Sequence, residues 1–287
     1  MRITVSHITT YRYSLRPKRV MQLLRLTPES FEGQNVGKWS VDLNCDARLR
    51  SKRDAHGNIV HLLTVDDVPD ELIITAGGTV DCENTSGVTA GLADPLPALV
   101  YLQTTDLTKP NAVITEFAKD VTSGTSNQLS QTHKLLAAIY ERMTFETGAT
   151  DVTTSAIEAF ERQKGVCQDL AHLFCAACRS LGIPARYISG HLFRQDGMND
   201  QSASHAWAEA HVNGLGWVSF DPAHGISTDE HYVRIAAGMD YRQAAPIVGT
   251  RTGGGMETLD VIARTGATPL RQSQKQTMGA MSQSQQQ

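Results

Sequence analysis

The chain has 287 residues, longer than one ordinary domain, so two domains are the default expectation. Lys and Arg number 26 against 30 Asp and Glu, a net charge of −4, which argues against a protein built to grip nucleic-acid phosphates, because that binding draws on a basic excess. No apolar run approaches the ~18 residues of a membrane span, the first residues lack a secretory signal's apolar segment, and five cysteines are too sparse for a disulfide framework, so a cytoplasmic protein with no membrane partner is expected.

Residues 1–85 read as β structure. Ile3, Val5 and Ile8, then Val41 and Leu43, then Ile59 and Leu63, then Ile73, Ile74 and Val80 lie in short runs, several with period two. Turn signals at Pro28, Gly33, His56-Gly57-Asn58, Pro69-Asp70 and Gly77-Gly78 separate them, which predicts a sandwich or a sheet packed on one face. The six basic residues and no acid among the first 28 read as a solvated strand face. Residues 86–110, with Asp94-Pro95-Leu96-Pro97, read as a linker. Helical spacing follows over 111–121 and 128–143, and Ser155 is placed to cap a short helix. A long helix over 166–181 precedes strands near 185–193, 204–212, 217–221 and 257–263. Residues 111–265 are expected to form the second domain, a core with a C-terminal extension. Residues 271–287 hold seven Gln, and the tail from 266 on is expected to be disordered.

The long helix carries the first chemical signal. Val166, Leu170, Leu173, Phe174, Ala177 and Leu181 recur at three- and four-residue steps as one buried stripe, with Gly182 and Pro184 ending it. Gly165 marks the entry, so Cys167 falls in the first turn, where unpaired amides and the positive end of the helix dipole favour a thiolate. Cys175 and Cys178 sit deeper in the stripe and read as packing residues, their C-x-x-C spacing being weak evidence for metal or redox chemistry. Asp169 lies about 200° around the helix from Cys167 and complements the helix start.

A base for that thiol comes from the next segment. In Ser204-His205-Ala206-Trp207-Ala208-Glu209-Ala210-His211-Val212, His205, Trp207, Glu209 and His211 share one strand face, and the alanines share the other. Trp217-Val218-Ser219-Phe220-Asp221-Pro222 returns as the second strand of a hairpin, stopped by proline. With Asn213, Gly214 and Leu215 as a three-residue loop, Val212 opposes Gly216, and Asp221 opposes Trp207 on the face of His205. A two-residue loop would turn Asp221 to the alanine face. A carboxylate on one imidazole nitrogen fixes the tautomer and leaves the other nitrogen for the thiol proton, the division of labour in a Cys-His-Asp triad.

These residues carry a resemblance. Gly165-Val166-Cys167-Gln168-Asp169-Leu170-Ala171-His172-Leu173, Leu181-Gly182-Ile183-Pro184-Ala185-Arg186, Ser204-His205-Ala206-Trp207-Ala208-Glu209 and Gly216-Trp217-Val218-Ser219-Phe220-Asp221-Pro222 resemble the bacterial transglutaminase-like core, a family often described as candidate cysteine proteases. Residues 1–85, with Tyr11-Arg12-Tyr13, Leu24-Arg25-Leu26-Thr27-Pro28 and Gly57-Asn58, resemble the β-rich domain that precedes this core in bacteria. Gly238-Met239-Asp240-Tyr241 and Val248-Gly249-Thr250 resemble its C-terminal extension. The resemblance implies a papain-like α+β fold in which a helix bearing the cysteine packs on an antiparallel sheet. By motif position it implies Cys167 as nucleophile, His205 as general base and acid, and Asp221 as orienter. Animal members use calcium, but no EF-hand loop is present, and no metal or cofactor is expected.

The expected reaction is acyl transfer on a peptide or protein amide through a thioester at Cys167, with hydrolysis favoured over transamidation because water needs no acceptor site. The Cys167 N–H is the natural oxyanion donor. Gln163 and Gln168 are candidates for a second donor, each equally readable as a surface or capping residue. Trp207 either shields the imidazole–carboxylate bond, lines the acyl site or packs in the core, and Glu209 and His211 read as structural. A catalytically silent peptide-binding module on the same fold is the alternative. A metal site using Cys167, His205 and His211 ranks last, since six residues of strand at ~3.3 Å each hold the two histidines roughly 20 Å apart.

Overall fold

The computed structural model describes residues 1–196, 200–201 and 204–268. Alternation in the N-terminal sequence resolves into six strands: β1 (Arg2–Tyr13), β2 (Arg19–Leu24), β3 (Gln34–Leu43), β4 (Arg48–Arg53), β5 (Ile59–Val65) and β6 (Glu71–Cys82). β6 lies between β1 and β3 in one sheet, and β5 between β2 and β4 in another. Between the sheets lies a core that includes Tyr11, Val20, Leu24, Leu63, Leu72 and Ile74. Gly78 allows the β3–β6 approach, because a Cβ there would meet the Lys38 carbonyl oxygen at 1.9 Å.

The stretch expected as a linker is instead pinned to the second domain. β7 (Val88–Thr89) pairs with Trp217 and Val218, a 3-10 turn over Ala98–Leu102 buries Tyr101, and Leu107 and Thr108 are buried. Proline-rich composition marked this stretch as irregular but could not show that apolar side chains such as Tyr101 and Leu107 are inserted into a neighbour.

Four helices with local caps follow. α1 (Ala112–Thr122) starts at Asn111 and α2 (Gln128–Arg142) at Asn127, each side chain accepting from a backbone amide three residues on. After β8 (Thr144–Phe145), α3 (Ala156–Arg162) opens with a capping box between Ser155 and Glu158. β9 (Lys164–Gly165) leads into α4 (Cys167–Ser180), and Gly182, with φ 76°, makes its left-handed exit. The strands that follow are β10 (Ala185–Leu192), β11 (Asp200–Gln201), β12 (His205–Val212), β13 (Gly216–Asp221), β14 (Ile226–Ser227) and β15 (Tyr232–Gly238). The main path runs β14-β13-β12-β10-β15, while β11 joins the N-terminal sheet. Leu170, Leu173, Phe174 and Ala177 of α4 pack in one cluster with Ala206, Ala208 and Ala210 of β12. Small side chains on that strand face let the helix lie close, which fixes the cysteine helix over the histidine strand.

After α5 (Tyr241–Ala244), β16 (Ile247–Thr252) and β17 (Glu257–Thr268) leave this domain. β16 pairs with β2, and β17 runs antiparallel to β1 from Tyr13↔Glu257 to Arg2↔Thr268. The expectation that residues up to 265 belong with the core is therefore corrected. Unpaired β1 and β2 edges would expose rows of amides and carbonyls, and the chain's own C-terminal part covers them. Residues 266–268 of the expected disordered tail end β17, and residues 269–287 lie outside the described residues. Among the described residues no helix is long and apolar enough to cross a membrane.

Candidate active site

Gly165 and Val166 bring the chain into α4 so that Cys167 is its first residue. Asp169 closes this entry. Its Oδ2 accepts from the Val166 amide at 2.8 Å and from Thr150 Oγ1 at 2.6 Å, as expected for a helix-start carboxylate. A Cβ at position 165 would lie 2.7 Å from Asp169 Cβ, so glycine is required for this packing. The first two amides of α4, from Cys167 and Gln168, have no carbonyl within the helix to donate to.

The hairpin has the three-residue loop. Val212 opposes Gly216, Glu209 opposes Ser219 and Ala208 opposes Phe220, the register that carries Asp221 to the face of His205. His205 Nε2 lies 2.6 Å from Asp221 Oδ2, which leaves Nδ1 as the nitrogen available to the thiol. Cys167 and His205 line the same cavity, and negative charge on the sulfur favours the charged imidazole. Burial of the ring opposes its charge, but Asp221 and then Cys167 outweigh burial and push His205 up to about 10. The same pairing holds Asp221 well below the usual carboxylate range, against a burial that alone would raise it. His205 and Asp221 are thus one electrostatic unit, bordering the cavity that Cys167 also lines. The other thiols differ: burial raises Cys175 to about 11, Cys82 to about 12 and Cys178 well above its ordinary value.

Asp221 is held from more sides than the sequence disclosed. Tyr232 Oη donates to Oδ2 at 2.8 Å, His224 Nδ1 lies 2.8 Å from the same oxygen, and the Ala223 amide donates to Oδ1 at 2.9 Å. The turn Asp221-Pro222-Ala223-His224-Gly225 builds this cradle locally, and its i, i+3 Asp–His spacing could have revealed His224. Tyr232 arrives from β15, and nothing in its own neighbourhood announces the contact.

Of the remaining sequence candidates, Gln168 lines the cavity beside Cys167. Gln163 does not: it is an exposed residue ending α3 in the left-handed conformation, φ 53°, where its carbonyl accepts from Thr144. Trp207 is buried behind the imidazole, its ring centroid 6.1 Å from that of His205 in a stacked arrangement, and it packs with Ile188, Leu192, Tyr232 and Ala237. It backs the histidine rather than lining the cavity. Gly190 makes room for it, since a Cβ there would meet the indole at 2.5 Å. Glu209 sits in a buried ion network, with Arg186 Nε at 2.6 Å and Arg234 Nε at 2.8 Å, while Arg186 also reaches Asp94 at 2.7 Å. His211 packs edge-on against Trp217 at 5.2 Å.

The cavity opening on Cys167 holds about 240 Å³ and lies between the two domains, with walls from α4, β10 and β12 on one side and β1, β16 and β17 on the other. Among the described residues, two groups, His205–Asp221–His224 and Asp229–Glu230–His231, each bring three ligand-capable atoms within 4.8 Å of one another. In the first, the histidine nitrogens already meet a single Asp221 oxygen at hydrogen-bond distance.

Residues 115–222 match the family profile described as the transglutaminase-like superfamily, and residues 3–81 that described as the bacterial transglutaminase-like N-terminal region. An uncharacterized protein of Mycobacterium leprae is 30% identical over 275 residues, covering 91% of this chain and 97% of that one. One of Mycobacterium tuberculosis is 28% identical over 275 residues, covering 86% and 87%. The crystal structure of a candidate cysteine protease from Cytophaga hutchinsonii superimposes with a TM-score of 0.74 over 94% of this chain and 92% of that one, at 21% identity. In sequence and in fold, the chain belongs to the transglutaminase-like superfamily, its core preceded by the bacterial N-terminal region.

Proposed function

We propose that the protein is a cysteine-dependent acyl-transfer enzyme acting on peptide or protein amides, with hydrolysis as its main outcome. One observation carries this reading. A helix-head cysteine and a carboxylate-anchored imidazole line one cavity that is large enough for substrate.

With His205 holding a proton on each nitrogen, the Cys167 sulfur faces a cation, and a cation beside a sulfur favours the thiolate. The thiolate attacks the amide carbonyl and a C–S bond forms. Charge passes to the carbonyl oxygen, which the Cys167 N–H stabilises, with Gln168 the proposed second donor. The C–N bond then breaks as His205 Nδ1 gives its proton to the leaving amine, leaving a thioester and neutral imidazole. Water attacks next, Nδ1 takes its proton, and the C–S bond breaks to release the acid and restore the thiolate–imidazolium pair. Asp221 remains charged throughout and keeps Nε2–H aimed. An amine could replace water in the second half. Hydrolysis is favoured because no Asp or Glu stands among the described residues lining the cavity, so a lysine acceptor finds no counter-charge there. All five cysteines are free thiols, and the cytoplasm, a reducing compartment, is the proposed location.

The experiment incubates the full chain with a peptide library, with and without a primary amine, and reads products by mass spectrometry. Cleaved or deamidated peptides that vanish with Cys167→Ala are expected. Amine incorporation in place of hydrolysis would reverse the choice of acceptor. A reactive Cys167 with no product from any peptide would contradict the choice of substrate.

A further inference from the structure

The two ends of the described chain meet at the cavity. Period two along β1 sends His7, Thr9 and Tyr11 to one face, and their partners on β17, Ala263, Val261 and Leu259, point the same way. All of these but Ala263 line the cavity across from Cys167. The N-terminal region is thus not an appendage to the catalytic core; it supplies the facing wall.

That wall has a definite chemistry. No Asp, Glu, Lys or Arg is among the described residues lining the cavity. Val152 and Leu259 both contribute to the lining and both are 53% exposed, so large apolar side chains remain in water on the core side and on the β17 side of the opening. A ligand that covers them gains hydrophobic free energy, whereas a charged side chain entering the same space loses hydration and finds no Asp, Glu, Lys or Arg there, only a His205 already paired with Asp221. An apolar cavity of ~150 Å³ accepts a benzene ring. The 240 Å³ here accommodates a large side chain with space left for the amide at the sulfur.

We propose that β1 and β17 form a specificity wall, a subsite that takes a large uncharged aliphatic or aromatic side chain of the substrate peptide next to the amide presented to Cys167. The placement of that amide rests on the acyl-transfer reading, but the preference for the side chain can be measured without any chemistry.

The test uses the full-length Cys167→Ala variant and fluorescein-labelled pentapeptide amides that differ at one residue, Leu, Phe, Gly, Asp or Lys, with binding read by fluorescence anisotropy. The Leu and Phe peptides are expected to bind about tenfold or more tightly than the Asp and Lys peptides, a difference of ~1.4 kcal/mol. Leu259→Lys, at an exposed position that leaves folding intact, should lower Leu and Phe affinity and raise that of the Asp peptide; Val261→Ser should weaken Leu and Phe binding alone. Peptides that bind alike or not at all, a charged peptide that binds tightest, or an order unchanged by both variants would overturn the subsite. The ranking persisting in a protein whose unmodified Cys167 proves inert would support the subsite while removing the enzyme reading. Turnover without ranking would do the reverse.

Discussion

The β12–β13 hairpin buries two carboxylates completely on one face, and they serve opposite ends. Glu209, across from Ser219, meets Arg186 and Arg234, whose charges are permanent at any ordinary pH. Asp221, two residues beyond Ser219, meets the imidazoles of His205 and His224 and a neutral Tyr232 hydroxyl. Arg186 and Glu209 are direct cross-strand partners on β10 and β12, so the first ion pair locks register from within the sheet. Asp221 holds a ring whose other nitrogen faces the cavity. The two sites differ in partner, not in burial or in the face of the hairpin: permanent cations make a carboxylate structural, and a titratable one lets it steer a proton.

Asp221→Asn should break the second arrangement most severely. Loss of the charge removes what holds the imidazolium, and kcat/KM for any peptide substrate should fall by about 10³–10⁴-fold while the protein still folds. Steady-state kinetics check this, and activity near wild type would assign Asp221 to the structural class with Glu209. Glu209→Ala should do the converse. It leaves two arginines buried without their shared partner, costing about 3–5 kcal/mol in denaturant unfolding, with specific activity per folded molecule retained.

Histidines without a carboxylate partner sharpen the contrast. Burial lowers His7 to about 4, and both His172 and His191 to about 3, so each is neutral when folded but protonated when unfolded in mild acid. The unfolded state then binds more protons, and stability should fall as pH drops from about 6.5 towards 4, by up to ~1.4 kcal/mol per pH unit for each ring. His205 runs the other way: raised to about 10, it contributes stability present below about 6.5 and lost as pH rises through about 10. Urea midpoints at several pH values check both limbs, and His191→Phe should flatten the acid limb alone.

The smallest effect belongs to the cradle. Tyr232→Phe removes one hydrogen bond to Asp221 and should lower kcat by about three- to tenfold, in line with ~1 kcal/mol per bond. No change in kcat would mean that His205, His224 and the Ala223 amide suffice to aim the carboxylate.

Features written in local periodicity were legible in the sequence. The α4 stripe, the alanine face of β12 and the loop that sets the β12–β13 register each depend on neighbours within a few residues, and together they placed Cys167, His205 and Asp221. Contacts between distant segments were not legible. β17 pairs with β1 across some 250 residues, Tyr232 reaches Asp221 from another strand, and the Glu209 network needs Asp94 from the supposed linker. Gln163 was readable as a second oxyanion donor or equally as a surface or capping residue; a left-handed residue ending α3 turns the chain there and leaves its side chain exposed. Nearness in sequence does not give direction.

The most direct measurement of the coupling between sulfur, ring and carboxylate is alkylation of Cys167 by iodoacetamide as a function of pH, read site by site by mass spectrometry in the wild type, His205→Ala and Asp221→Asn. In the wild type, Cys167 should react far ahead of Cys45, Cys82, Cys175 and Cys178, most clearly at pH 6, and both variants should remove that advantage. A Cys167 that reacts no faster than the other thiols and is indifferent to both substitutions would contradict it.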